Sequence, residues 1–200
     1  MSVALIDYGA GNLHSVHNAL KAAGAEGLVI TADPEVVAKA DRIVLPGVGA
    51  FGACARGLRD VDGMVVALEQ RVLNQGAPFL GVCVGMQLMA TRGEELGTHE
   101  GLGWIPGTVR HLPPSPGVRV PHMGWNDVVP VGEHPLIEPG EAYFLHSFAF
   151  EGEHVLATTE HGARVTAAIG RDNMAGVQFH PEKSQRYGIA LLERFLQWRP

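Results

Sequence analysis

The chain is short of cysteine, of basic residues and of long apolar runs, and each shortage removes a class of function. It has 2 cysteines, Cys54 and Cys83, among 200 residues, too few for a disulfide framework. Lysine and arginine total 15 against 21 aspartates and glutamates, so no basic stripe is offered to nucleic acid. No apolar run reaches transmembrane length, and Met1-Ser2-Val3-Ala4-Leu5-Ile6-Asp7 already reads as a strand with no charged n-region, which points to a cytoplasmic protein. The G-x-x-x-x-G-K-[ST] pattern is missing, which disfavours a nucleotide P-loop. Gly9-Ala10-Gly11 fails as a dinucleotide fingerprint, because His14 stands where the third glycine belongs. His14 and His17 lie one turn apart but have no third ligand at useful spacing, so no metal is expected. Long polar linkers, low-complexity tracts and internal repeats are all lacking, so residues 1–200 read as one domain large enough to bury a sizeable core.

What is present is a reactive-looking corner. Gly81-Val82-Cys83-Val84-Gly85 places one thiol between two glycines, after an apolar run at 77–82 that reads as a buried strand and before 86–91, which favours helix. This is the pattern of a nucleophile elbow: the glycines permit a tight turn, and a helix start stabilises negative charge on the sulfur. Taken alone, the pentapeptide fits a buried structural cysteine equally well. Far downstream, Val177-Gln178-Phe179-His180 alternates like a strand end, and residues two apart share a side, so His180 and Glu182 can face one another across Pro181. A carboxylate beside an imidazole fixes its tautomer and stabilises its protonated form, leaving the other ring nitrogen to take a thiol proton. Cys83, His180 and Glu182 thus form a candidate triad. A third stretch, the strand-like 42–45 running into Pro46-Gly47-Val48-Gly49-Ala50-Phe51-Gly52, could offer backbone amides to an oxyanion together with Val84. Cys54 is expected to be packing.

With these motifs the chain resembles the class I (triad-type) glutamine amidotransferases. The marks shared with the class are Pro46-Gly47-Val48-Gly49, Gly81-Val82-Cys83-Val84-Gly85-Met86-Gln87 and Gln178-Phe179-His180-Pro181-Glu182-Lys183-Ser184. Within it, Asp7-Tyr8-Gly9-Ala10-Gly11-Asn12, Pro121-His122-Met123-Gly124-Trp125-Asn126 and Tyr143-Phe144-Leu145-His146-Ser147-Phe148 resemble the glutaminase subunits of imidazole glycerol phosphate synthase. That resemblance implies hydrolysis of glutamine through Cys83, His180 and Glu182, with an oxyanion hole from Gly47, Val48, Gly49 and Val84. It further implies a substrate grip by Gly49, Gln87, Ser147 and Phe148, and a flexible Val48-Gly49 peptide that partner binding reorients. No cofactor is implied. The implied partner is a (β/α)₈-barrel cyclase, HisF, met through Asn12, Trp125, Tyr143 and Lys183. The cyclase would use the ammonia to make imidazole glycerol phosphate and an aminoimidazole carboxamide ribotide. One departure is Phe148, where the family usually carries tyrosine. The rivals are the glutaminase of another synthase, a regulatory homologue without activity, and a cysteine peptidase of similar fold.

The expected architecture is α/β: a mostly parallel central sheet covered by helices on both faces, with a second, smaller and partly antiparallel sheet. Strands are expected near 3–7, 28–31, 43–45 and 77–82, and helices near 13–23, after the Asp33-Pro34 cap, at 61–73 and at 185–198. Residues 101–171, broken by prolines and glycines, are expected to supply the second sheet.

Overall fold

The computed structural model describes all 200 residues, Met1–Pro200. The N-terminal half alternates strand and helix. It runs β1 (Ser2–Ile6), α1 (Leu13–Ala22), β2 (Gly27–Thr31), α2 (Pro34–Val37), β3 (Arg42–Gly47), α3 (Phe51–Asp60), α4 (Met64–Glu69), β4 (Phe79–Cys83) and α5 (Val84–Gln87). Then follow β5 (Ala90–Gly93), β6 (His99–Glu100), β7 (Ile105–His111), β8 (His122–Pro130), β9 (Gly140–His146), β10 (Phe148–Gly152), β11 (Val155–Glu160), β12 (Arg164–Arg171), β13 (Met174–Val177) and α6 (Gln185–Gln197). Every residue of β3, β4 and β13 is buried, as strands covered on both faces require. Asp33 caps α2 as expected: its carboxylate accepts from the Glu35 amide at 2.8 Å, with Pro34 in the first helical position.

Nine strands form one sheet in the order β2-β1-β3-β4-β13-β12-β11-β8-β9. The pairs from β2 to β13 are parallel, and those from β13 to β9 antiparallel. A second sheet of four strands runs β10-β7-β5-β6. The expected fold class is borne out, with a redistribution. Residues 101–171 do not make a sheet of their own: β7 and β10 join the small one, while β8, β9, β11 and β12 extend the large one. One apolar cluster runs through both, from Val3 and Phe79 to Phe150 and Trp198.

Three local expectations change. The helix expected at 86–91 ends at Gln87, because the next backbone segment is claimed from a distance. Leu102 donates to the Leu88 carbonyl, Ile105 to Met89, Gly103 to Ala90 and Gly101 to Thr91, at 2.7–3.0 Å. Four long-range bonds outweigh a modest helical propensity. The glycine-rich run after Pro46 also holds a ten-residue helix, α3, that buries Phe51, Cys54, Ala55 and Leu58 on one face. The helix expected at 61–73 starts at Met64 and finishes in a π turn, Gln70–Asn74. No helix is long and apolar enough to cross a membrane.

Candidate active site

Register places the chemistry. Gly47, the last residue of β3, pairs with Cys83, the last of β4, and β4 pairs with β13, whose final residue Val177 lies opposite Val82. His180 follows three residues on. Loop, thiol and imidazole therefore emerge from the carboxyl ends of three adjacent parallel strands, the edge where α/β sheets bind ligands.

The turn at Cys83 is sharp. Its φ of 54° and ψ of −113° are unusual for a residue with a side chain, and α5 begins immediately after it. The helix start lies so close to β3 that a Cβ on Gly85 would come 1.9 Å from the Leu45 carbonyl oxygen, and one on Gly47 2.7 Å from the Gly85 nitrogen. Gly47 and Gly85 thus serve packing between β3 and α5, and Gly81, whose Cβ would come 2.7 Å from the Gly85 carbonyl oxygen, serves packing between β4 and α5. As the first residue of α5, Val84 has an amide hydrogen with no partner inside the helix.

His180 is held from several sides. Its Nδ1 meets Glu182 Oε1 at 2.8 Å, with both side chains at most 3% exposed. The pairing is not made along an extended strand, as the spacing suggested. A 3₁₀ turn, Pro181–Lys183, folds the carboxylate back onto the ring. Ser184 fastens the turn: its hydroxyl donates to the His180 carbonyl at 2.7 Å and accepts from the Tyr143 amide at 2.9 Å. Burial pulls the imidazole's pKa down, but hydrogen bonds to Cys83 and Glu182, together with their negative charge, more than reverse this and raise it to about 10.

Cys83 and His180 line one cavity of about 230 Å³. Val48, Gly49, Val84, Gln87 and Glu95 line it from one half of the chain, and Leu145, His146, Ser147, Phe148 and Lys183 from the other. Gln87 Nε2 donates to the Phe148 carbonyl and to Gln178 Oε1, each at 3.0 Å, and Gln178 Nε2 reaches Cys83 Sγ at 3.7 Å. Behind the loop, Tyr8 Oη donates to the Pro46 carbonyl at 2.8 Å and Cys54 Sγ to the Val48 carbonyl at 3.5 Å. Burial raises the pKa of both groups, which keeps them as donors. Cys54 is buried, as expected, and it also grips the peptide before Gly49.

A strained cysteine, an imidazole and a carboxylate at the sheet edge suit attack on a carbonyl carbon, a chemistry found on many folds. The family described as Glutamine amidotransferase class-I matches residues 4–198. The chain belongs to the class-I glutamine amidotransferases. Among curated relatives of this amidotransferase, the imidazole glycerol phosphate synthase subunit HisH of Zymomonas mobilis is 61% identical over 206 residues, covering 100% of this chain and 97% of the relative. The HisH subunit of Rhodopseudomonas palustris is 50% identical over 216 residues, covering both proteins fully. Among solved structures, a glutamine amidotransferase superposes with a TM-score of 0.75 at 19% identity, covering 98% of each chain. PurLQS from Thermotoga maritima gives 0.75 at 18%, covering 98% and 97%. At such identities these two support the fold alone.

Within the amidotransferase, Gly49, Gln87, Ser147 and Phe148 all line the cavity. The Phe148 ring, in place of the family's tyrosine, lies edge-on to His111 at 5.1 Å, while its carbonyl takes the Gln87 bond. Three of the four expected interface residues gather. Trp125 and Tyr143 pair across β8 and β9 with rings edge-to-face at 6.2 Å, and Lys183 Nζ lies 5.9 Å from the Tyr143 ring. The fourth, Asn12, is the N-cap residue at the start of α1, and α1 packs against the Pro181–Lys183 turn. The sequence reading missed Gln178, Glu95 and His146. Gln178, fully buried, was within reach of that reading, since it sits two residues before His180. Glu95 carries no motif; its carboxylate accepts from the Phe51 amide at 2.7 Å, a contact 44 residues away in sequence.

Proposed function

We propose that this chain is the glutaminase subunit of imidazole glycerol phosphate synthase, acting over residues 1–200 as one unit in the cytoplasm. The observation that carries the reading is the meeting of Cys83 and His180 in one cavity with Glu182 on the far ring nitrogen. Because Nδ1 is occupied by Glu182, Nε2 is the nitrogen left to take the Cys83 proton. The thiolate attacks the side-chain amide carbon of glutamine, and the resulting oxyanion is held by the Val84 amide and amides of the Gly47, Val48 and Gly49 stretch. Collapse breaks the C–N bond as His180 protonates the leaving nitrogen, releasing ammonia and a thioester. His180 then takes a proton from water, which attacks the thioester and frees glutamate. Gly49, Gln87, Ser147 and Phe148 grip the glutamine, and Glu95 supplies a carboxylate for its α-ammonium group.

Ammonia escaping into water would be protonated and lost as a nucleophile, so the product is handed to a (β/α)₈-barrel cyclase, HisF. That partner docks on the surface of Trp125, Tyr143 and Lys183, near Asn12, and reorients the Val48-Gly49 peptide. The test is glutamate release from glutamine by wild type and Cys83→Ala, each with and without the cyclase. Release that depends on Cys83 and rises with the cyclase is expected. Equal release by Cys83→Ala would remove the thiol from the mechanism, and equal wild-type rates with and without the cyclase would remove the gating.

A further inference from the structure

Beside the cavity the structure buries a group of histidines that the chemistry above does not use. His122 on β8 and His146 on β9 are direct cross-strand partners, 3% and 6% exposed. The His122 ring stacks on His161 at 4.0 Å and on Phe144 at 4.7 Å. Their hydrogen bonds have only one consistent direction. His146 Nδ1 lies 2.9 Å from the Phe148 carbonyl, which can only accept, so this nitrogen carries a hydrogen. In a neutral ring the other nitrogen is then an acceptor. His122 Nδ1, 3.0 Å from His146 Nε2, must therefore donate. By the same logic His122 Nε2 accepts from Asn126 Nδ2 at 3.0 Å. The Asn126 amide is fixed at both ends, since Nδ2 also donates to the Glu160 carbonyl at 2.9 Å and Oδ1 accepts from the Asp127 amide at 2.9 Å.

A proton added to either ring would set two donors against each other. Burial, and then the neighbouring His146 and His161, lower the pKa of His122 to about 3. Burial lowers that of His146 to about 4, helped by His161 and His180 and opposed by its bond to Phe148. The chain of donors thus runs one way, from Asn126 through both neutral rings to the Phe148 carbonyl. There it meets Gln87, whose amide leads on through Gln178 to the Cys83 sulfur.

We propose that His122 and Asn126 are positioning residues for glutamine binding: by dictating the tautomer of His146 they hold the Phe148 carbonyl, and with it the Gln87 amide, at the cavity wall. The proposal rests on the reading of that cavity as the glutamine site. Without the His122 donor, His146 is free to adopt its other tautomer, and the Phe148 carbonyl loses one of its two donors.

Two substitutions separate hydrogen bonding from packing. His122→Phe keeps a ring to stack on Phe144 and His161 and removes the donor. His122→Asn places an amide N–H near the position of Nδ1. In the complete enzyme with its cyclase, His122→Phe should raise the KM for glutamine about tenfold, the worth of one lost hydrogen bond in a buried network, and change kcat less than about threefold. His122→Asn should bring the KM back to within about threefold of wild type. An unchanged KM in His122→Phe, or equal defects in both variants, would overturn the proposal. Nitrogen-15 NMR of the wild-type rings gives a test that needs no variant and no glutamine. Both His122 and His146 should be Nδ1–H tautomers from about pH 8 to about pH 5, and an Nε2–H form of either ring would end the argument. Cys83→Ala, assayed alongside, keeps the two readings apart. Its full activity would sink the glutaminase reading, whereas a dead Cys83→Ala beside a normal His122→Phe would sink only the relay.

Discussion

Glu182→Gln tests the triad with the least change in shape. The carboxylate is 1% exposed and its Oε1 lies 2.8 Å from His180 Nδ1, so the charge it lends the ring is poorly screened by water. A charge-assisted hydrogen bond of this kind contributes about 1.5–3 kcal/mol, and losing it from the transition state lowers kcat by roughly 10- to 10²-fold. If the new amide turns its nitrogen toward the ring, the imidazole is forced into the wrong tautomer and the loss grows toward about 10⁴-fold. The KM should move little, because Glu182 does not line the cavity. Stability gives a second readout. His180 is raised from 6.5 to about 10 in the fold, so its favourable contribution is complete below about pH 6.5 and disappears as pH rises through about 10. Wild type should therefore lose stability over that alkaline range in chemical denaturation, and Glu182→Gln should lose less of it. A kcat within about twofold of wild type, or superimposable stability curves for the two proteins, would refute the assignment of Glu182.

Two other outcomes follow from the same geometry. In Gly85→Ala the added methyl meets the Leu45 carbonyl at 1.9 Å, a backbone clash no rotamer relieves, so unfolding should come about 2–4 kcal/mol easier and glutaminase activity should collapse. Gly76→Ala, with φ of +71° and open space around it, should lose only about 1–2 kcal/mol by denaturant titration, and equal costs at the two sites would discredit the clash. On the acid side, His122 and His146 refuse protons that the unfolded chain accepts, so stability should fall as pH drops from about 6.5 through about 4 for His146 and about 3 for His122. His122→Phe should flatten that limb, and an unaltered slope in the variant would show that His122 is not held neutral.

The elements legible from the residues are those whose signal is local. Val3 to Ile6, Ile43 to Leu45 and Phe79 to Val82 are apolar on both faces, so they had to be interior strands. Asp33-Pro34 had to open a helix, and a thiol between two glycines at a strand end had to sit on a tight turn. Other parts depended on what lay across the molecule. Residues 88–91 abandon a helix because the backbone at 101–105 bonds them, and the strands of 101–171 divide between two sheets according to which edge each can reach. The 3₁₀ turn that brings Glu182 onto His180 depends on Ser184 and Tyr143, 41 residues apart. The wall of the cavity was the least readable part, since Glu95 and His146 line it while bonded to Phe51 and His122, and Gln178 supports it from behind through Gln87.

The sequence by itself determined the reactive groups, the parallel strands that present them and the class of chemistry they suit, because turn chemistry and hydrophobic period act between near neighbours. Tertiary structure alone decided how the strands shared themselves between sheets, which nitrogen of each buried histidine carries its hydrogen and which polar groups face the cavity. Those choices are made by hydrogen bonds and packing between residues far apart in the chain, and they exist only once the chain has folded.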